Sequence, residues 1–471
     1  MRTVGLVGLG LGALLCGWAE AQGGRVATIE TVAPSPAKLE LWSDKYTLPN
    51  GLEVILHEDH RTPTVTVNVW YHVGSKDEDP GRNGFAHLFE HVMFQGSKHV
   101  GEDLYFKYLE RAGASSINGT TNTDRTNYFE TVPANQLELG LWLESDRMGF
   151  LLDHADDKTF KSQREVVKNE RRQNYENAPY GMLHKTIIEH LYPESHPYYR
   201  TTIGTPEDLD RATIDDVRGF FKKWYLPNNA TLSLAGDFET AKVKPLVEKY
   251  FGDIAKGDLP ARRAIPEVTL DHEVRLQLEA GVELGRVSMA WPSPKMFEPG
   301  DAELDLVSHV LSGGKTSRLY KALVYDARVA TDVSAHQTSA ELGSRFEIGV
   351  TIAPGKTAEE AVKLVDRELA RLASAAPTAA ELSRAKVVTR SALLFSLEKQ
   401  SSRADMLNHY NQVAGRPDYF KEDLARYARV SANEVNAAAK AWLPLDKRVL
   451  AIVVPTPGAP VAGRLVAGGA K

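Results

Sequence analysis

The two halves of this sequence repeat one another. VSMAWPSP at Val287–Pro294 answers VNVWYHVG at Val67–Gly74, and VLAIVVP at Val449–Pro455 answers TLSLAGDF at Thr231–Phe238. A shift of 218 positions carries His91-Val92 onto His309-Val310, Val217 onto Val435 and Trp224 onto Trp442. Such self-similarity implies an internal duplication, hence two domains of one fold.

Each copy mixes strand and helix signals. Alternating or β-branched runs at Leu52–Leu56, Thr64–Val73 and Thr231–Phe238 read as strands. Helical periodicity covers Gly84–Phe94, Asp103–Ala112, Ala134–Leu152 and Asp157–Tyr175. The expected class is α+β, with two homologous α/β-sandwich domains at 45–255 and 269–455. Gly252–Pro266 (GDIAKGDLPARRAIP) has the composition of a connector, which puts a linker at 256–268, after an N-terminal extension at 22–44. Residues 456–471, rich in Gly, Ala and Pro, read as a flexible tail.

The first residues, MRTVGLVGLGLGALLCGWAEAQ, combine a positive charge at Arg2, an apolar stretch Val4–Leu15 and the small-x-small site Ala19-Glu20-Ala21. This reads as a signal peptide cleaved after Ala21, too short to span a bilayer. The expected location is outside the cytoplasm, in a bacterial periplasm. Lipid attachment at Cys16 is the less favoured alternative, because Leu15 stands where such sites carry a small residue. Cys16 is the single cysteine, so cleavage leaves no thiol, and any metal must be held by His and carboxylate.

A net charge of -6 and the lack of basic runs with interleaved aromatics argue against nucleic acid as a partner. SGGKTS at Ser312–Ser317 is no phosphate loop, because His309 occupies the place of its first glycine.

The chemistry concentrates in NGFAHLFEHVMFQGS. His87 and His91, four apart, share one helix face and can reach one ion. Glu90 lies on that face, where it can take a proton from water attacking a carbonyl. This is His-x-x-Glu-His, the inverse of the zincin order. The shift of 218 sets Asp305 and Ser308 opposite His87 and Glu90, so only the first copy carries the motif. A catalytic zinc usually takes three protein ligands. The helix at Asp157–Tyr175 and its continuation offer Glu165, Glu170 and Glu176, among which helical spacing does not choose. His57, His60, His72, His99 and His196 lack ligand spacing, and Ser97, Ser312 and Ser317 lack a nucleophile-elbow context.

HLFEH, QREVVKNE and HPYYRTTIGTPEDLDRATIDDVRGFFKKWYLPNNATLSLAGDF together resemble the pitrilysin and insulinase family of inverzincin peptidases, over residues 45 to 455. The resemblance implies two homologous α+β domains enclosing a chamber, one Zn2+ per chain and extended peptides as substrates. It singles out Glu170, in Val167-Lys168-Asn169-Glu170, as the third ligand. Where the family often has a supporting acid this chain has Gln163, which leaves Glu165 as the nearest carboxylate to back the site. INGTTNTDRTNYFET is similar to the family's substrate edge strand, with Asn118 at the position that binds peptide backbone.

One departure bears on activity. Single-chain members of the family carry an Arg and a Tyr in the second domain that polarise the scissile carbonyl. In LVYDARVATDV, Leu323 and Ala330 match that context, but Val324 and Thr331 stand for the pair, with Tyr325 and Arg328 out of register. Loss of one such donor costs roughly 10²–10³ in rate. The resemblance therefore implies a homologous subunit lacking the zinc motif that supplies the pair in a heterodimer, with a homodimer as the other arrangement. A non-catalytic subunit of the same fold is the alternative function.

Overall fold

The computed structural model describes residues 41–466 apart from residue 263. The leader, its cleavage site and Cys16 lie outside the described residues. Residues 41–466 belong to one compact unit.

The first sheet contains β1 (Asp44–Thr47), β2 (Glu53–Glu58), β3 (Thr64–Tyr71), β4 (Ser115–Thr121), β5 (Thr126–Pro133) and β6 (Ala230–Gly236), in the order β1-β2-β6-β3-β5-β4. The second contains β7 (Val274–Ala280), β8 (Arg286–Ser293), β9 (Ala330–Thr338), β10 (Ser344–Ile352), β11 (Val449–Pro455) and β12 (Arg464–Leu465), in the order β12-β7-β11-β8-β10-β9. Both are mixed: β2 runs parallel to β6 as β7 does to β11, and the pairs that continue to β4 and to β9 are antiparallel. The duplication is thus a duplication of topology. The outermost strand beside β2 comes from before the first copy, and the one beside β7 from after the second.

One face of the first sheet packs on helices Phe85–Val92, Leu137–Phe150, Ile214–Trp224 and Thr240–Phe251, with Val54, Val67, Val69, Leu232 and Leu234 excluded from solvent. Its other face would be the solvated one in a lone domain. Instead β3 is buried on both faces, because helix Gln400–Ala414 of the second half lies across it. That interface mixes apolar contact, Leu407 and Tyr410 against Ile55, with hydrogen bonds: Trp70 Nε1 donates to Asp405 at 3.0 Å, Asn408 to the Asn68 carbonyl at 3.1 Å, and Gln400 to the Thr64 carbonyl at 3.0 Å. Reciprocally, helix Leu183–Leu191 of the first half covers the second sheet, burying Ile187 and Ile188 against Leu276, Leu278, Ala451 and Val453. The same shift of 218 carries 183–191 onto 401–409, so the halves exchange homologous helices.

The tail differs from its compositional expectation. Arg464-Leu465 pair with β7, and the carbonyls of Val461 and Ala462 accept N–H bonds from Tyr180 and Met182 at 3.1 and 3.0 Å. Backbone hydrogen bonding needs no apolar side chains, so a segment of Gly, Ala and Pro docks where an open strand edge receives it. Among the described residues no helix is long and apolar enough to cross a membrane.

Candidate metal centre and active site

Helix Phe85–Val92 begins where Gly84 turns the chain at φ +93°. A side chain there would meet the Ile203 carbonyl at 2.7 Å, so both conformation and space require glycine. Phe85, Leu88, Phe89 and Val92 enter the core, the Phe89 ring lying 4.2 Å from that of Tyr225. The remaining stripe presents His87 and His91, ring centroids 4.9 Å apart, toward helix Asp157–Arg171. That helix is capped by Asp156, which accepts the Thr159 N–H at 2.7 Å, and is fixed by buried Phe160 and Val167.

Glu170 projects between the imidazoles. Its Oε2 lies 3.6 Å from His87 Nε2 and 3.3 Å from His91 Nε2, and the three ligand atoms fall within 4.8 Å of one another. Two donors at zinc-bonding distance and a tetrahedral angle stand about 3.4 Å apart. The spacing, and a set of two nitrogens and one oxygen, therefore fit a zinc ion with a coordination position to spare. Burial lowers the His87 pKa to about 4, which leaves the imidazole neutral, the form a ligand needs. The hydrogen bond from His91 holds the Glu170 carboxyl below its ordinary value.

Glu90 is only 9% exposed and accepts a hydrogen bond from Thr121 Oγ1 at 2.5 Å. Burial pushes its pKa up, against the Thr121 hydrogen bond, which lowers it. Gly119 makes room for it, since a Cβ at that position would stand 3.1 Å from Glu90 Cγ and 2.9 Å from the Phe94 ring. Both Thr121 and Gly119 lie on β4, the sheet's edge strand, which has one row of backbone groups without a strand partner. Asn118 sits on the same strand, exposed, its Oδ1 accepting the Gly119 N–H at 2.9 Å.

Of the residues named from sequence, the structure brings His87, Glu90, His91 and Glu170 together, with Asn118 on the neighbouring strand. Glu165 stands apart: it points to solvent and pairs with Lys168 at 3.4 Å. Glu176 pairs with Arg171 at 2.9 Å. What approaches the outer oxygen of Glu170 is the Asn174 amide, at 3.5 Å, from the π-helical turn Arg172–Glu176 that follows the ligand helix. Thr121, Asn174 and His184 had no sequence signal, though Asn174 follows Glu170 by one helical turn. An open cavity of about 420 Å3 is lined by His87, Thr121, Glu170, Tyr175, His184 and Thr202. It adjoins a second, of about 230 Å3, that shares Tyr175, His184 and Thr202 and runs between the halves. Val324 is half-buried at the end of the turn Tyr320–Asp326, and Thr331 is exposed on β9, so neither presents a cation or a phenol. The other histidines named above are hydrogen-bonded elsewhere, as His57 is to the Trp42 carbonyl at 2.7 Å and His72 to Thr231 at 2.9 Å.

Comparison with known proteins agrees with this geometry. Residues 53–202 match the family profile described as Insulinase (Peptidase family M16), and residues 211–387 the one described as Peptidase M16 inactive domain. The zinc protease PqqE of Helicobacter pylori is 30% identical over 81% of this chain and 86% of its own length. A probable mitochondrial-processing peptidase subunit beta of Schizosaccharomyces pombe is 24% identical over 83% and 86%. The crystal structure of a protease from Helicobacter pylori superposes with a TM-score of 0.82 at 27% identity, over 88% of this chain and all of that one. With both profiles and a relative of this similarity in register across the two halves, the chain belongs to the M16 (insulinase) family of zinc proteases.

Proposed function

We propose that this chain is a zinc-dependent endopeptidase that hydrolyses extended peptides, with Glu90 as the base. The observation that carries the reading is the convergence of His87, His91 and Glu170 to 3.3 and 3.6 Å beside a buried carboxylate. His87 Nε2, His91 Nε2 and Glu170 Oε2 hold one Zn2+. When bound, the ion supplies a Lewis acid that polarises a carbonyl and brings the pKa of water to about 7. Glu90 takes the proton from the attacking water and returns it to the leaving amine, while Thr121 holds one oxygen of its carboxylate. The peptide adds to the edge strand β4 as a further strand, with Asn118 binding its backbone. Burial of Glu90 away from bulk water strengthens each of these electrostatic interactions.

Val324 and Thr331, in place of an arginine and a tyrosine, favour a partner. In this reading a homologous subunit without the zinc motif supplies the pair in a heterodimer, a homodimer being the other arrangement. The relative from fission yeast is itself named as a subunit. The leader read in residues 1–21 puts the enzyme in a bacterial periplasm. The same missing pair is what favours the second reading, a non-catalytic subunit of this fold.

The test is metal removal with restoration, alone and with the candidate partner. Stripping zinc abolishes cleavage of an unfolded peptide, one equivalent restores it, and the partner raises the rate by roughly 10² or more. Full zinc occupancy without cleavage in either state would favour the non-catalytic reading.

A further inference from the structure

Among the described residues the candidate ligand set lies wholly in the first half, yet the second half touches the hairpin that holds the base. The tip of hairpin β4–β5, Asn122–Arg125, meets the loop Ser339–Gly343 between β9 and β10. The shift of 218 carries 122–125 onto 340–343, so the homologous hairpin tips of the two halves meet. Asp124, 9% exposed, is the joint. Its Oδ1 accepts the Tyr198 hydroxyl at 2.5 Å, and its Oδ2 accepts the Glu341 N–H at 3.2 Å. The Tyr198 oxygen in turn accepts the Leu342 N–H at 3.0 Å. Lys76, its side chain 4% exposed, bridges Asp124 and Glu341 at 3.4 and 3.0 Å and donates to the Asp124 carbonyl at 2.7 Å. Gln412 donates to the same carbonyl at 3.2 Å and bonds Glu341. Three residues before Asp124 stands Thr121, whose hydroxyl holds Glu90.

We propose that the second half positions the base: Tyr198 and Glu341 clamp Asp124, and through the hairpin tip they hold Thr121 against Glu90. Asp124, Tyr198 and Glu341 are positioning residues, since none of them touches the ligand set. A hydrogen bond weakens steeply with misalignment, so a tip free to shift by a few tenths of an ångström loosens the Thr121 contact while leaving the zinc ligands, which come from two other helices, in place. The inference rests on reading Glu90 as the base.

Tyr198→Phe removes the hydroxyl that bonds Asp124 and accepts from Leu342, and Glu341→Ala, which keeps the backbone N–H bond to Asp124, removes the carboxylate held by Lys76 and Gln412. Backbone amide exchange across Thr120–Thr126, measured on the full chain without metal, is expected to quicken roughly tenfold in both, with the exchange of helix Phe85–Val92 unchanged. In the zinc-loaded protein kcat is expected to fall about tenfold at unchanged KM and zinc content, the size of one weakened hydrogen bond to a charged group. That loss should vanish in a Thr121→Val background, because the proposed route runs through Thr121. Unchanged exchange overturns the clamp whether or not the chain cleaves peptides. A kcat loss that persists undiminished beside Thr121→Val overturns the route to Glu90. Absence of cleavage by the unmodified protein counts against the proposed activity alone, and the exchange measurement still decides the clamp.

Discussion

Glu78→Gln should change how the stability of this protein depends on pH. The half-buried Glu78 carboxylate accepts the N–H of Gly84 at 3.0 Å and of Ala86 at 2.8 Å, filling open donors at the start of the helix that carries His87, Glu90 and His91. Burial raises its pKa from 4.5 to about 8; the two N–H groups oppose the rise, and the charges of Asp77 and Asp208 add to it. The folded chain thus keeps a proton that the unfolded chain has released across this window. Stability from this group is complete below pH 4.5, falls as pH rises and levels off above about 8. The limiting slope is about 1.4 kcal/mol per pH unit, so the loss between pH 5 and 8 is on the order of 3 kcal/mol. Glutamine is uncharged like the protonated acid, but its NH2 group carries two donors and accepts nothing, so it keeps only one of the two N–H bonds. The variant should therefore be the less stable near pH 5, by about the 1–3 kcal/mol of one N–H left without its acceptor, and that deficit should shrink or reverse toward pH 9. Urea midpoints at pH 5, 7 and 9 on metal-free protein provide the assay, because metal binding is itself proton-linked. A variant less stable by a constant amount at every pH would refute the reasoning, since the two N–H bonds would then outweigh burial and hold an anion throughout.

Asn174→Ala should weaken zinc affinity roughly tenfold by freeing the outer oxygen of Glu170, whereas Glu165→Ala should leave it within twofold; competition with a chromogenic chelator distinguishes them. Ile187→Ala, at a site 1% exposed in the helix exchanged onto the second sheet, should cost about 2–5 kcal/mol in urea unfolding, and a cost near zero would mean that the exchange contributes little to stability.

The zinc helix was legible because its information is local: two histidines four apart and a glutamate between them need one helix to share a face. The choice of Glu170 over Glu165 came from family resemblance; helix geometry says only that the two cannot serve one ion together. Five residues turn an α-helix by about 500°, which sets Glu165 some 140° away from Glu170 and out of reach of the same ion. The duplication was legible too, since strands answered strands at matching positions. Its consequence was not. Helices Leu183–Leu191 and Gln400–Ala414 were not among the periodic segments read from the sequence, and nothing local to either says which sheet it covers. Likewise Thr66, Asn68 and Thr231 look like the solvated face of a half-buried strand, and only the helix laid across them turns that face into an interface. Thr121 and Asp124 gave no signal for the same reason, because their partners lie far along the chain, at Glu90, Tyr198 and Glu341.

The central claim is that Glu90 is the base of a peptidase whose zinc is held by its neighbours. The direct measurement compares kcat/KM for an unfolded peptide between the unmodified protein and Glu90→Gln, at matched zinc content, with and without the candidate partner. A loss of roughly 10²–10⁴ with zinc retained is the expected result. A variant that keeps its zinc and cleaves within threefold of the unmodified rate would contradict it.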